Sequence, residues 1–108
     1  MAAVRVCWVD DLAVNEASRF VVDGVPIAVV KDAAGDIFAI GDTCTHGDIS
    51  LAEGFVEDDT LECWAHGSKF SLKTGKPLSL PAYEPVPVYQ VQIEGGDVLI
   101  DPAATTAV

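Results

Sequence analysis

Apolar residues fall in short runs separated by turn-forming pairs. Val4-Arg5-Val6-Cys7-Trp8-Val9 is rich in strand formers and alternates only loosely. Arg19-Phe20-Val21-Val22 leads through Asp23-Gly24 into Val25-Pro26-Ile27-Ala28-Val29-Val30. Asp-Gly between two apolar runs signals a hairpin, because both central residues of its turn need φ > 0. Ala34-Gly35 closes the next turn before Asp36-Ile37-Phe38-Ala39-Ile40. Val86 to Ile93 reads as a strand that Gly95-Gly96 turns into Asp97-Val98-Leu99-Ile100. Pro87 belongs near a strand start or on an edge, where a missing N–H does no harm. Leu12 to Ser18 is the helix-like stretch, and it is short. The tail from Pro102 to Val108 is small and polar and is expected to fray. Closely spaced strands with turn signals predict an all-β fold, an antiparallel sandwich or barrel.

The middle of the chain breaks this pattern. Regular alternation stops at Gly41 and returns around Thr60. Residues 42–82 read as a loop-rich insertion carried by a β scaffold of about 1–41 and 83–104, all within a single domain, 1–108. From Asp42 to Glu62 there are seven acids and no Lys or Arg. Such loops commonly carry function. An internal echo lies here: Cys44-Thr45-His46-Gly47 and Cys63-Trp64-Ala65-His66-Gly67.

Composition narrows the function classes. At 108 residues the chain is one domain's worth, and half its residues are apolar, enough for a packed core. A net charge of −11 repels nucleic acid and anionic membranes alike. The longest plain apolar run, Val25 to Val30, is far short of the ~20 residues of a membrane-spanning helix. The start, Met-Ala-Ala-Val-Arg-Val, lacks a basic head with a long apolar stretch, so neither a secretory signal nor an anchor is expected. Three cysteines cannot all pair within the chain, and a reduced, cytoplasmic protein is the expectation.

Both histidines and two of the three cysteines lie in the echo, in the pattern C-x-H-x16-C-x2-H. Thiolate and imidazole both suit a borderline or soft metal, and two pairs on tight loops can converge on one centre. A Gly follows each histidine and lets N–H groups approach a bound anion or sulfide. Four readings are open. The residues are unrelated surface and core positions, or they form a Cys2His2 zinc site. For zinc, the usual C-x2–4-C and H-x3–5-H pairing is absent, because each loop offers one Cys and one His. A Cys–His nucleophile would leave the second pair without a role. An iron–sulfur cluster with two thiolates on one iron and two imidazoles on the other suits the interleaved order. Haem attachment is excluded, since there is no C-x-x-C-H.

With these residues in hand, the sequence resembles the Rieske 2Fe–2S family: Cys44, His46, Cys63 and His66 match its ligand motif. Gly54 in Leu51-Ala52-Glu53-Gly54, His66-Gly67-Ser68-Lys69-Phe70, Thr74-Gly75, Leu80-Pro81-Ala82 and Pro85-Val86-Pro87-Val88-Tyr89 are similar to bacterial Rieske-type ferredoxins. The resemblance implies a Rieske-like antiparallel β-sandwich or barrel with a loop-rich cluster-binding subdomain. It implies one 2Fe–2S cluster held by Cys44, His46, Cys63 and His66, with Gly47, Gly67, Ser68, Phe70, Trp64 and Pro81 around it. It also implies an electron carrier and not an enzyme, as in multicomponent aromatic-ring dioxygenases of the biphenyl, naphthalene and carbazole type. There a flavoprotein reductase dependent on NAD(P)H feeds the ferredoxin, and the ferredoxin feeds a terminal oxygenase with its own Rieske centre and a mononuclear iron. This chain has no room for such an iron domain and no G-x-G-x-x-G for flavin or nicotinamide. The other readings are an accessory or redox-sensing Rieske protein tied to iron–sulfur assembly, a nitrite-reductase small subunit, and a zinc-binding module. The family's nitrite-reductase subunits commonly lack the ligands, all four of which are present here.

The family's high-potential respiratory members carry two further cysteines, where this chain has Ile49 and Ala65, and an N-terminal membrane helix missing here. Cys7 lies far off in the first strand and reads as a small buried hydrophobe. High-potential members place Ser two and Tyr four residues after the last histidine; this chain keeps Ser68 but has Phe70. One hydroxyl donor fewer and seven nearby acids disfavour reduction, which puts the expected potential at roughly −150 mV. Docking is expected at the histidine tip, within an apolar collar of Ile49, Leu51, Trp64, Ala65, Leu80 and Pro81. Asp42, Asp48, Glu53 and Glu57-Asp58-Asp59 form the expected acidic rim, or equally a solvated face that keeps the protein dissolved. Trp64 is expected to pack rather than to relay electrons. The carrier is expected to be a monomer.

Overall fold

The computed structural model of the protein describes residues 3–43, 50–57, 59–64, 69–78 and 86–105, the last four of these by backbone alone. Its strands are β1 (Val4–Trp8), β2 (Glu16–Val22), β3 (Val25–Lys31), β4 (Ile37–Gly41), β5 (Phe55–Glu57), β6 (Thr60–Glu62), β7 (Lys69–Ser71), β8 (Val88–Glu94) and β9 (Asp97–Thr105). Six form one antiparallel sheet in the order β1-β9-β8-β4-β3-β2. Its two edge strands, β1 and β2, approach each other, so the sheet is a nearly closed barrel. The other three form a small sheet in the order β5-β6-β7.

Turn chemistry fixes the large sheet. Asp23 and Gly24 have φ of 51° and 79°, and Val22 pairs with Val25, which is the two-residue hairpin that the Asp-Gly pair specifies. Gly95 and Gly96, at 58° and 89°, do the same between β8 and β9. β3 is buried on both faces, which explains why Val25–Val30 is a continuous apolar run and not an alternating one. Ile27 and Val29 face the barrel interior with Cys7, Ala39, Tyr89, Val98 and Ile100. Ala28 and Val30 face a second core, in which Ile40, Leu51, Leu61, Phe70 and Val88 join the barrel to the small sheet. Each fully buried Val, Ile or Phe contributes roughly 1.5–3 kcal/mol. β3 and β4 therefore hold the two sheets together.

Three features depart from the sequence reading. Leu12 to Ser18 is not a helix. A 3₁₀ turn spans Val9–Asp11, Leu12 is buried, Val14 bridges to Lys31, and β2 starts at Glu16. Leu12 is drawn into the barrel core, and Asn15, at φ 62°, redirects the chain into β2. The tail does not fray at Pro102, because β9 continues to Thr105 and pairs Thr105 with Tyr89. The register shifts between Tyr89 and Val91, and Pro102, with no N–H to donate, falls in that irregular stretch. Within 42–82 the loops carry a second sheet whose strands are three residues long, too short to show a period in the sequence.

Candidate metal centre

Of the four sequence-proposed ligands, Cys63 is within the described residues, while Cys44, His46 and His66 lie outside them. Cys63 follows β6 directly. It is fully buried, a free thiol, and packs in the core between the sheets with Leu61, Phe70 and Leu72. The chain that follows it, 64–68, returns into β7 at Lys69, so the second Cys–His pair sits on the connection of a β hairpin. The pairing of Glu62 with Lys69 closes that connection at its base.

The first pair is framed in the same way. β4 ends at Gly41, and Thr43 bridges to Ser50, so the described residues on either side of 44–49 meet at one point. Asp42 secures that point. Its Oδ2 accepts hydrogen bonds from Ser50 Oγ at 2.7 Å and Arg19 Nε at 3.1 Å, and its Oδ1 accepts one from Ala52 N at 3.0 Å. Its carbonyl accepts Leu51 N at 2.6 Å, and its own N donates to Pro26 O at 3.2 Å.

The two frames meet through the 3₁₀ turn Leu51–Glu53. Leu51 is fully buried, and the turn ends at Gly54. A Cβ on Gly54 would lie 1.9 Å from the carbonyl oxygen of Glu62, the residue before Cys63. Gly54 has φ −89°, so space, not backbone conformation, requires glycine here. A further close approach joins Gly75, at φ 73°, to Val86: Val86 N donates to Gly75 O at 2.9 Å, across the base of the segment that holds Leu80 and Pro81.

These positions fit an iron–sulfur cluster. A thiolate ligand needs an unoxidised sulfur shielded from water, and Cys63 is both free and buried. The turn that follows residues 44–49 abuts, at Gly54, the strand that leads into Cys63. Cys7 is likewise buried and free but lies in the barrel core, as expected of a small hydrophobe. Burial, then Asp11, pushes its thiol above the ordinary 9.0, while Arg5 pulls the other way. Burial also raises the Tyr89 hydroxyl.

The expected docking features divide. Leu51 cannot be part of an exposed collar, because it fills the core between the sheets. Asp42 does not belong to an acidic rim, since it is 2% exposed and spends its carboxylate on internal donors. Trp64 does not pack: at 49% exposure it stands at the surface directly after Cys63. Phe70 is fully buried beside the same core. Glu53 and Glu57 are exposed and Asp59 is half-buried, and Glu57 and Asp59 are paired to Lys69 at 3.1 Å and Lys73 at 3.8 Å. Gly47, Asp48, Ile49, Asp58, Ala65, Gly67, Ser68, Leu80 and Pro81 lie outside the described residues. The sequence reading missed the supporting role of Asp42 and Arg19. Its only trace is an acid placed two residues before Cys44, with a base on the neighbouring sheet edge. Among the described residues no helix is long and apolar enough to cross a membrane.

Comparison with known proteins agrees with this geometry. Residues 2–90 match the Rieske [2Fe-2S] domain. The chain is 44% identical over 102 residues to the 3-phenylpropionate/cinnamic acid dioxygenase ferredoxin subunit of Escherichia coli (strain K12), covering 94% of each. The ferredoxin of carbazole 1,9a-dioxygenase from Nocardioides aromaticivorans IC177 superposes with a TM-score of 0.89 at 33% identity, over 94% of this chain and 99% of that one. A chain from a complex of reduced oxygenase and oxidized ferredoxin in carbazole 1,9a-dioxygenase matches with a TM-score of 0.89 at 33% identity, over 98% and 97% of the two chains.

Proposed function

Because the chain belongs to the Rieske [2Fe-2S] domain family, we propose that it carries single electrons from an NAD(P)H-dependent flavoprotein reductase to the terminal oxygenase of a multicomponent aromatic-ring dioxygenase. The chain is a Rieske electron carrier with a 2Fe–2S cluster, a ferredoxin component and not the catalytic oxygenase. Residues 42–82 act as the cluster-binding part of a single domain, and about 1–41 and 83–104 act as its basal scaffold. Cys44 and Cys63 would hold one iron and His46 and His66 the other. The cluster supplies reversible one-electron storage with no bond chemistry.

The protein's own residues set the conditions for that exchange. The core around Cys63 keeps water from the thiolate side, which favours the less charged, oxidised state. Trp64, exposed directly after Cys63, supports a contact face beside the ligand segments. The exposed acids Glu53 and Glu57, with half-buried Asp59, favour a basic partner surface and a fast, salt-sensitive encounter. Such a carrier acts as a cytoplasmic monomer that forms small, transient complexes.

The observation that carries this reading is a buried Cys63, free of any disulfide, whose preceding residue Glu62 abuts Gly54 of the turn that follows the Cys44–His46 segment. Electron paramagnetic resonance of dithionite-reduced protein, with iron and sulfide counted, tests it. A Rieske-type signal with two irons and two sulfides per chain is expected. A colourless protein with one zinc per chain overturns it. His66→Cys lowers the midpoint potential, and an unchanged potential removes His66 from the ligand set.

A further inference from the structure

We propose that Asp42 is a positioning residue that sets the separation of the two ligand loops, acting through the 3₁₀ turn Leu51–Glu53. The proposal rests on the assignment of Cys44, His46, Cys63 and His66 to the cluster. Among the described residues Asp42 is the one buried polar or charged side chain. Its acceptors are directed at three consecutive residues: Ser50 Oγ, Leu51 N and Ala52 N, at 2.7, 2.6 and 3.0 Å. On the other side it is tied to the barrel, through its N to Pro26 O of β3 and through Oδ2 to Arg19 of β2. The main chain of Asp42 makes the bonds to Leu51 N and Pro26 O, and its carboxylate those to Ser50 Oγ, Ala52 N and Arg19 Nε, so both ends of the segment that carries Cys44 and His46 are referred to one residue.

The same turn reaches the second ligand loop. It is closed by Glu53 N to Ser50 O at 3.2 Å and Gly54 N to Leu51 O at 2.9 Å, and Leu51 is locked in the core. At its far end Gly54 abuts the Glu62 carbonyl, and Phe55 pairs with Glu62. A displacement of residues 50–52 is thus passed to Glu62, the residue before Cys63. Asp42 fixes one end of a bracket whose other end abuts the strand that leads into Cys63.

Stability alone does not account for an ionised side chain at this point. Arg19 is 52% exposed, so its ion pair with Asp42 returns little, while burying the carboxylate is costly. A charged acceptor does fix several donors at short, defined distances. Ligands that must meet one centre need placement to within about 0.5 Å.

The holoprotein, Asp42→Asn, Ser50→Ala and Val98→Ala test this. Asn keeps the size of Asp and one acceptor oxygen but removes the charge. Val98 lies in the barrel core, away from the bracket, and its truncation is a control for lowered stability. Asp42→Asn is expected to load the cluster, to broaden or shift its paramagnetic resonance signal, and to release iron to a chelator about tenfold faster. Ser50→Ala moves both readouts in the same direction by less, and it carries the test if Asp42→Asn does not fold. Val98→Ala lowers the thermal midpoint with a wild-type spectrum and release rate. A wild-type spectrum and release rate in Asp42→Asn, or in Ser50→Ala where it stands in, overturns the proposal while leaving the ligand assignment intact. So does an equal change in Val98→Ala. Wild-type protein without a Rieske signal overturns the ligand assignment and this proposal together.

Discussion

Gly54→Ala separates crowding from backbone conformation at the joint between the Leu51–Glu53 turn and β6. The new Cβ would stand 1.9 Å from Glu62 O, 3.0 Å from Glu62 C and 3.2 Å from Leu51 O, where ordinary contact begins at 3.4 Å. Relief requires a movement of about 1.5 Å in backbone that is held by β5–β6 pairing on one side and by the core on the other. Overpacking of this kind costs about 1–3 kcal/mol. Replacing glycine also removes freedom from the unfolded chain, which stabilises by about 0.4–1 kcal/mol. Crowding is the larger effect, and a domain of this size loses about 4–8 °C of Tm per kcal/mol, so a fall of about 10 °C is expected. Because the atom that must yield precedes Cys63, the visible and paramagnetic resonance spectra of the cluster change as well. Gly24→Ala is the companion variant. It meets nothing within 4 Å but is strained at φ 79°, so it costs about 1 kcal/mol and leaves the spectra alone. Thermal unfolding followed by circular dichroism, with spectra of the reduced protein, reads both. Wild-type Tm and wild-type spectra in Gly54→Ala would refute the reasoning.

Three further outcomes are expected. Phe70→Tyr places a hydroxyl in the core beside Cys63 and raises the midpoint potential above that of the wild type, which is expected near −150 mV; a redox titration with no shift and only a lowered Tm counts against it. The buried Cys7 thiol is held above its ordinary 9.0, so the folded state keeps it neutral where the unfolded chain would ionise it. That contribution is complete below pH 9.0 and is lost as pH rises through the elevated folded value, so Cys7→Ala flattens this part of the alkaline loss; parallel urea midpoints for the two proteins on both sides of pH 9.0 would contradict it. Replacing Glu57 and Asp59 together by Lys slows reduction of the oxygenase several-fold at low salt and weakens its salt dependence in stopped-flow traces, and an unchanged rate removes these acids from the encounter.

Legibility in the sequence followed the range of the interactions. The Asp23-Gly24 and Gly95-Gly96 turns were plain because φ > 0 is a property of the pair itself. The family was plain because the residue types and spacing of C-x-H-x16-C-x2-H lie within two short segments. Leu12 and Leu51 were misplaced because a distant core, not the local pattern, decides their burial. Asp42 looked like one more acid in an acidic stretch; only the folded neighbours Arg19, Ser50 and Ala52 make it an internal acceptor. Trp64 shows the converse, since a large aromatic usually packs and this one lies at the surface beyond Cys63. The extension of β9 to Thr105 depends on Tyr89 across the sheet, which no window around Pro102 contains.

The strand order bears on biosynthesis. β9 lies between β1 and β8, so the first strand to leave the ribosome has no hydrogen-bonded neighbour until the last has emerged. Wall closure is therefore a post-translational event with pairings distant along the chain, the kind that makes β folds slow. Residues 42–82 are translated before β8 and β9, so the core that buries Cys63, which includes Val86 and Val88, is completed only after that stretch has emerged.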